Sequence, residues 1–214
     1  MENNNVKGIP SQSAFERALA YAVGESESRE FVEKLLDRYG SFSTVFSTNR
    51  DELCYAGGLN FNAAILIKLI AYLNSRRVVE QFTFGKEHTE MELREYICAL
   101  FLGLSVERVY ALLLDDGDRV IATEYISAGT VNASDIVPRK ILECAKRKNS
   151  SKIILAHNHP KGSAAASKDD LMTTGRLFNL FATVGVRLAA HYIVADGEIG
   201  VIDADMLYNP DRKR

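Results

Sequence analysis

The run Lys152-Ile153-Ile154-Leu155-Ala156 leads directly into His157-Asn158-His159-Pro160, and Ser167-x-x-Asp170 follows His159 after seven intervening residues. This stretch leaves few options for the fold around it. An apolar run ended by a proline reads as a short buried strand. In extended chain, residues two apart project from one face, so both imidazoles can reach one ion. The small and polar residues 161–166 read as a loop, and Ser167 opens an amphipathic helix whose first turn carries Asp170 back toward the strand end. Two imidazole nitrogens and a carboxylate oxygen suit a tetrahedral Zn²⁺. Three protein ligands leave its fourth position for water, which is the pattern of a catalytic zinc.

Each part alone has a plainer explanation. Histidines near a strand end can simply face solvent, and Ser-x-x-Asp before an apolar run is an ordinary capping box, with Ser167 as N-cap and Asp170 at the third helical position. Capping and ligation are compatible, because a capped first turn settles where the carboxylate points. Asp169 competes with Asp170 as the ligand. Asp170 is preferred because Leu171, Phe178 and Phe181 are read as the buried face that a ligand must border.

Upstream, apolar spacing predicts a helix from Gln12 to about Val23, ended by Gly24, and a second through Phe31 and Leu35 to Gly40. A short third helix, capped by Ser47 or Asn49, ends at Gly57-Gly58, and a fourth spans residues 61–77. The region 1–87 is therefore read as a small all-helical domain, with a connector over 78–88. From 88 to 214 helices and strands alternate: a helix near 90–102, strands near 108–115 and 119–125 joined at Asp116-Gly117, and a helix from Pro138 to Lys148. The histidine-bearing strand, the helix from Ser167 and a last strand over 187–194 complete an α/β domain with a mixed sheet.

Composition narrows the function classes. Of 214 residues, 47% are apolar and 25% charged, as in ordinary globular proteins. Residues 1–88 carry 10 basic and 11 acidic side chains and the remainder 16 and 17, so neither part is a basic arm for nucleic acid. Cys54, Cys98 and Cys144 are odd in number and widely spaced within helical patterns, and are read as reduced, buried small hydrophobes. The start Met1-Glu2-Asn3-Asn4-Asn5 has no basic and apolar leader, and no uncharged segment approaches the roughly 18 residues of a membrane span. The expected location is cytoplasmic, with no membrane partner.

The segment Ala156-His157-Asn158-His159-Pro160, with Ser167 and Asp170 spaced as they are, resembles the JAMM (MPN-type) metal motif of the bacterial RadC family. The likeness extends to Leu112-Leu113-Leu114-Asp115, Gly129-Thr130-Val131-Asn132 and Pro138-Arg139 upstream, and to His191-Tyr192-Ile193-Val194 downstream. It implies a cytidine-deaminase-like MPN domain in which His157, His159 and Asp170 hold Zn²⁺. An acid before the first strand, Glu107 by position, would act as base, with Glu124 and Glu143 as nearby alternatives. Such a site would hydrolyse an amide or isopeptide bond in a peptide or protein. Glu107 would take the proton of the attacking water and return it to the leaving amine, and Ser167 would donate to the oxyanion.

Three departures stand out. The loop Gly162-Ser163-Ala164-Ala165-Ala166 lacks the family's acidic and proline residues, which predicts greater mobility. Lys140 replaces a common Glu, and Ala190 stands before His191 where Asp is usual. In the helical part, Gly58-Leu59-Asn60 resembles the family's helix-hairpin-helix turn, with Asn60 for its second glycine and Ala63 for its lysine. That likeness implies weak DNA binding in a repair factor, and a tight turn between core helices accounts for Gly58-Leu59-Asn60 equally; the short basic runs Arg76-Arg77, Lys146-Arg147-Lys148 and Arg212-Lys213-Arg214 would add a phosphate-tracking surface, although such runs are more often solvated helix ends complementing the dipole. His191 is read as a core or supporting histidine rather than a fourth ligand.

Overall fold

A computed structural model describes residues 11–128, 136–160 and 162–203. Residues 1–5, 129–132, Lys161 and the basic residues 212–214 lie outside the described residues. The chain divides into two compact units. Among the described residues the first holds 11–82 and 98–105, and the second holds 83–97 and 106–203.

The first unit contains helices α1 (Gln12–Val23), α2 (Glu25–Tyr39), α3 (Phe42–Ser47), α4 (Arg50–Tyr55) and α5 (Phe61–Gln81), with the end of α6 (Glu90–Phe101). Side-chain caps set several starts: Ser11 takes the Ala14 N–H, Ser41 that of Thr44, Asn49 that of Glu52 and Asn60 that of Ala63. The sequence reading missed α3, whose six residues are too few for a periodic pattern. It also ended the fourth helix at Arg77, whereas α5 continues to Gln81 through residues assigned to the connector. Phe15, Leu19, Val32, Leu35, Phe46, Leu53 and Ile67 form the core of this unit. Lys68 closes it by donating to the carbonyls of Phe46, Thr48 and Gly103. At the Gly58-Leu59-Asn60 turn, Asn60 uses its side-chain oxygen on Ala63 N–H and its amide on the Ala22 carbonyl. That occupies one of the N–H groups at the start of α5.

The second unit is built on a five-stranded mixed sheet of order β2-β1-β3-β4-β5: β1 (Arg108–Leu114), β2 (Val120–Ala128), β3 (Lys152–Asn158), β4 (Arg187–Ala195) and β5 (Glu198–Asp203). Among the described residues only β3 and β4 pair in parallel. Helix α8 (Lys168–Ala182) makes the crossover between them, and α7 (Ile136–Lys148) precedes β3. Pro138 is the third residue of α7, still in the first turn, where its missing N–H has no intrahelical acceptor to serve. Val109, Ala111, Leu113, Ile153 and Leu155 pack with Ile141, Ala145, Leu177 and Phe181 into one core on a single sheet face. Tyr96 of α6 lies buried and donates to Thr123 of β2.

Strand β5 was not anticipated. Its signal was present in Asp196-Gly197, whose φ values of 51° and 77° make the two-residue turn that right-twisted strands prefer. Of the cysteines, Cys144 is buried in the sheet core, whereas Cys54 and Cys98 are half-buried and less enclosed than expected. Among the described residues no helix is long and apolar enough to cross a membrane.

Candidate metal centre

The three residues that the sequence spacing singled out are brought to the end of β3. His157 is the penultimate residue of that strand, paired with Val109 on one side and Ile193 on the other, so its backbone is held in the middle of the sheet. His159 lies just past the strand and stays in the ladder through its N–H, which donates to the Val194 carbonyl at 2.8 Å. Asp170 comes from the first turn of α8, where Ser167 forms the expected reciprocal cap. The buried face of α8 is Asp170, Thr173, Thr174, Leu177 and Phe181. Leu171, expected on that face, is 41% exposed, because one residue advances the helix by about 100° and moves it off the stripe. Asp169 is exposed.

Among the described residues this is the one group of three or more His, Cys, Asp or Glu side chains whose donor atoms lie within 4.8 Å of one another. His157 Nε2 is 2.9 Å from His159 Nε2 and 3.2 Å from Asp170 Oδ1, and His159 Nε2 is 3.6 Å from Asp170 Oδ2. Zinc bonds of about 2.0–2.2 Å in a tetrahedron put neighbouring ligand atoms about 3.3 Å apart, so these spacings fit a zinc ion. The donor chemistry agrees. His159 Nδ1 lies 2.9 Å from the Ser163 carbonyl, which can only accept, so Nδ1 carries a proton and Nε2 is the nitrogen turned to His157 and Asp170.

Burial is severe. His157 is 2% exposed and His191, behind it, 0%. Burial pulls the His157 imidazole down to a pKa of about 4, with Asp170 opposing and His159 reinforcing. His191 is pulled down to about 3 by burial and then by His157, with Asp170 again opposing. For Asp170, burial raises the pKa, but the Ser167 hydroxyl, the Ser167 backbone N–H and the two imidazoles outweigh it and leave the carboxyl below its ordinary value. Burial thus favours the uncharged rings of His157 and His191, and the contacts to Asp170 favour its anion, the protonation states that ligation of a cation requires of His157 and Asp170.

The Ser167 hydroxyl donates to Asp170 Oδ2 at 2.6 Å, the Ser167 N–H reaches the same oxygen at 2.8 Å, and Asp170 N–H returns a bond to Ser167 Oγ at 3.1 Å. Its one proton is thus directed at Asp170. Glu107 is half-buried and stands outside the group of converging donors. Its chain neighbours are both held by the amide between the histidines: Arg108 N–H donates to Asn158 Oδ1 at 2.8 Å, and Asn158 Nδ2 donates to the Val106 carbonyl at 3.2 Å. Glu124 pairs with Arg147 and Glu143 with Arg139. Lys140 donates to the Ile126 carbonyl and lies over the Tyr125 ring.

Residues 88–204 match the RadC-like JAB domain family. The chain belongs to this family. Among its RadC family relatives are UPF0758 proteins from three bacteria. That of Vibrio atlanticus is 31% identical over 171 residues, covering 79% of this chain and 76% of the relative. That of Photobacterium profundum is 33% identical over the same length and coverage. That of Vibrio cholerae serotype O1 is 30% identical over 166 residues, 77% of this chain and 74% of the relative.

Sequence reasoning left Thr174 unremarked, whereas its reading of His191 as a core or supporting histidine agrees with a fully buried ring 2.8 Å from His157 Nδ1. The signal for Thr174 was its position one helical turn after Asp170, which puts both on the same face of α8. The particular partner of His191, His157, was not legible in the sequence, because the two meet only where β4 lies beside β3.

Proposed function

We propose that this RadC family chain is a zinc-dependent hydrolase of the JAMM metalloprotease type, acting on an amide or isopeptide bond of a peptide or protein. The observation that carries this reading is the convergence of two imidazole Nε2 atoms and a carboxylate at the end of a central strand, with separations of 2.9–3.6 Å. His157, His159 and Asp170 would hold the ion. When bound, zinc lowers the pKa of a water toward about 7 and polarises a substrate carbonyl.

Within this reading Glu107 accepts the proton of the attacking water and delivers it to the leaving amine, a role worth about 10²–10⁴ in rate. Ser167 holds Asp170 in place. By turning its hydroxyl from Asp170 toward the substrate it supplies a donor to the developing oxyanion, a contact of about 3 kcal/mol when preorganised.

The test is metal analysis of the purified protein followed by digestion of a peptide library with and without chelator. About one zinc per chain and chelator-sensitive cleavage are expected, with His159→Ala losing both metal and cleavage and Glu107→Gln losing cleavage alone. Cleavage that persists in the metal-free protein would overturn the reading, and full activity in Glu107→Gln would place the base elsewhere.

A further inference from the structure

Behind the metal centre, three side chains form a directional chain of hydrogen bonds. Thr174 Oγ1 is 2.6 Å from the Asp170 carbonyl oxygen, 2.7 Å from His191 Nδ1, and His191 Nε2 is in turn 2.8 Å from His157 Nδ1. All three residues are buried, Thr174 and His191 completely, so water cannot substitute for any partner. A carbonyl only accepts, so the single Thr174 proton goes to Asp170. Thr174 Oγ1 can then only accept from His191, which puts the His191 proton on Nδ1 and leaves its Nε2 bare. A bare His191 Nε2 requires the proton of His157 on Nδ1. The His157 Nε2 lone pair is what remains, and it points at His159 and Asp170.

We infer that Thr174 and His191 are positioning residues that select the ring tautomer of His157, so that its Nε2 is presented bare to the metal. The opposite tautomer would place a proton between the two Nε2 atoms, where it would have to be removed before an ion could enter. The device also ties the ligands to one another. Asp170 offers its carboxylate to the site while its carbonyl, one turn of helix from Thr174, anchors the relay. A shift of α8 therefore disturbs both ligands at once. The inference rests on the metal-binding reading above.

The test uses the full chain with ¹⁵N-labelled histidine. In the metal-free protein at neutral pH, ring-nitrogen shifts should report His157 and His191 with the proton on Nδ1, a result that needs no metal. A proton on Nε2 of His157 would overturn the inference. Zinc and cobalt affinity, measured against a competing chelator, should fall about 10–100-fold in Thr174→Val and recover in Thr174→Ser, which restores the hydroxyl. Thr174→Val with unchanged affinity and an unchanged His157 tautomer would also overturn it. Absence of metal binding by the wild-type protein, with the Nδ1 tautomers observed, would instead defeat the zinc reading and leave the tautomer relay standing. Should Thr174→Val fail to fold, the wild-type tautomer measurement decides alone.

Discussion

The side chain of Asn158 accepts the Arg108 N–H at 2.8 Å across the end of the β1–β3 pair. Its other end donates to the Val106 carbonyl, so one amide spans the residues on both sides of Glu107. Asn158 is itself the residue between His157 and His159. The segment carrying the proposed base is thereby referenced to the backbone that carries the proposed ligands, and not to a free loop.

Asn158→Ala removes both bonds and leaves a backbone N–H and a carbonyl short of a partner, a cost of about 1–3 kcal/mol. Urea unfolding should show this loss. Zinc content should persist, because His157 and His159 keep their strand positions, while cleavage falls by about 100-fold from misplacement of Glu107. Unchanged stability and rate would show that the amide does not hold the segment.

Gly200 of β5 is the close neighbour of the loop that follows His159. A methyl group on Gly200 would overlap the Ala164 carbonyl oxygen, with the carbonyl carbon only 2.9 Å away. Backbone cannot yield as a flexible side chain does, so Gly200→Ala must push the loop outward and draw Ser163 from His159 Nδ1, 2.9 Å from its carbonyl. The expected outcome is a stability loss of about 1–3 kcal/mol together with weaker zinc binding, read by thermal melts and chelator competition. Wild-type zinc affinity in this variant would show that the loop contact does not orient His159.

Stability of the metal-free protein should depend on pH through the two buried imidazoles. Both have native values below 6.5, His157 at about 4 and His191 at about 3. Between those values and 6.5 the unfolded chain binds more protons than the folded one, so stability rises with pH across this interval. The contribution is complete above pH 6.5 and is lost as pH falls toward 4 and then 3, by at most about 1.4 kcal/mol per unit and per histidine. Denaturant titrations at pH 7, 5.5 and 4.5 measure it. A midpoint that does not move between pH 7 and 4.5 would mean that these rings are not held neutral.

Much of the fold was legible because the signals are local. Gly24, Gly40 and the Asn49 and Ser167 caps stop or start helices by their own backbone and side-chain chemistry, and the β3 run is apolar because neighbours lie on both of its edges. The misses were of another kind. Strand β5 alternates weakly and draws its place from pairing with β4, and α3 is a single capped turn and a half held by Phe46 in a core made by distant helices. Leu171 was misassigned because an apolar side chain beside a buried stripe looks the same in sequence as one within it.

The candidate site divides along the same line. His157, His159 and Asp170 lie within fourteen residues, so a strand, a short loop and a capped helix turn suffice to bring them together, and the sequence alone determined that they converge. Which nitrogen His157 presents was decided only by tertiary structure. That choice depends on His191, 34 residues from His157, and on the commitment of the Thr174 hydroxyl to a carbonyl one turn away. A proton's place on an imidazole is set by the partner of its other nitrogen, and partners brought together by sheet pairing leave no spacing pattern in the chain.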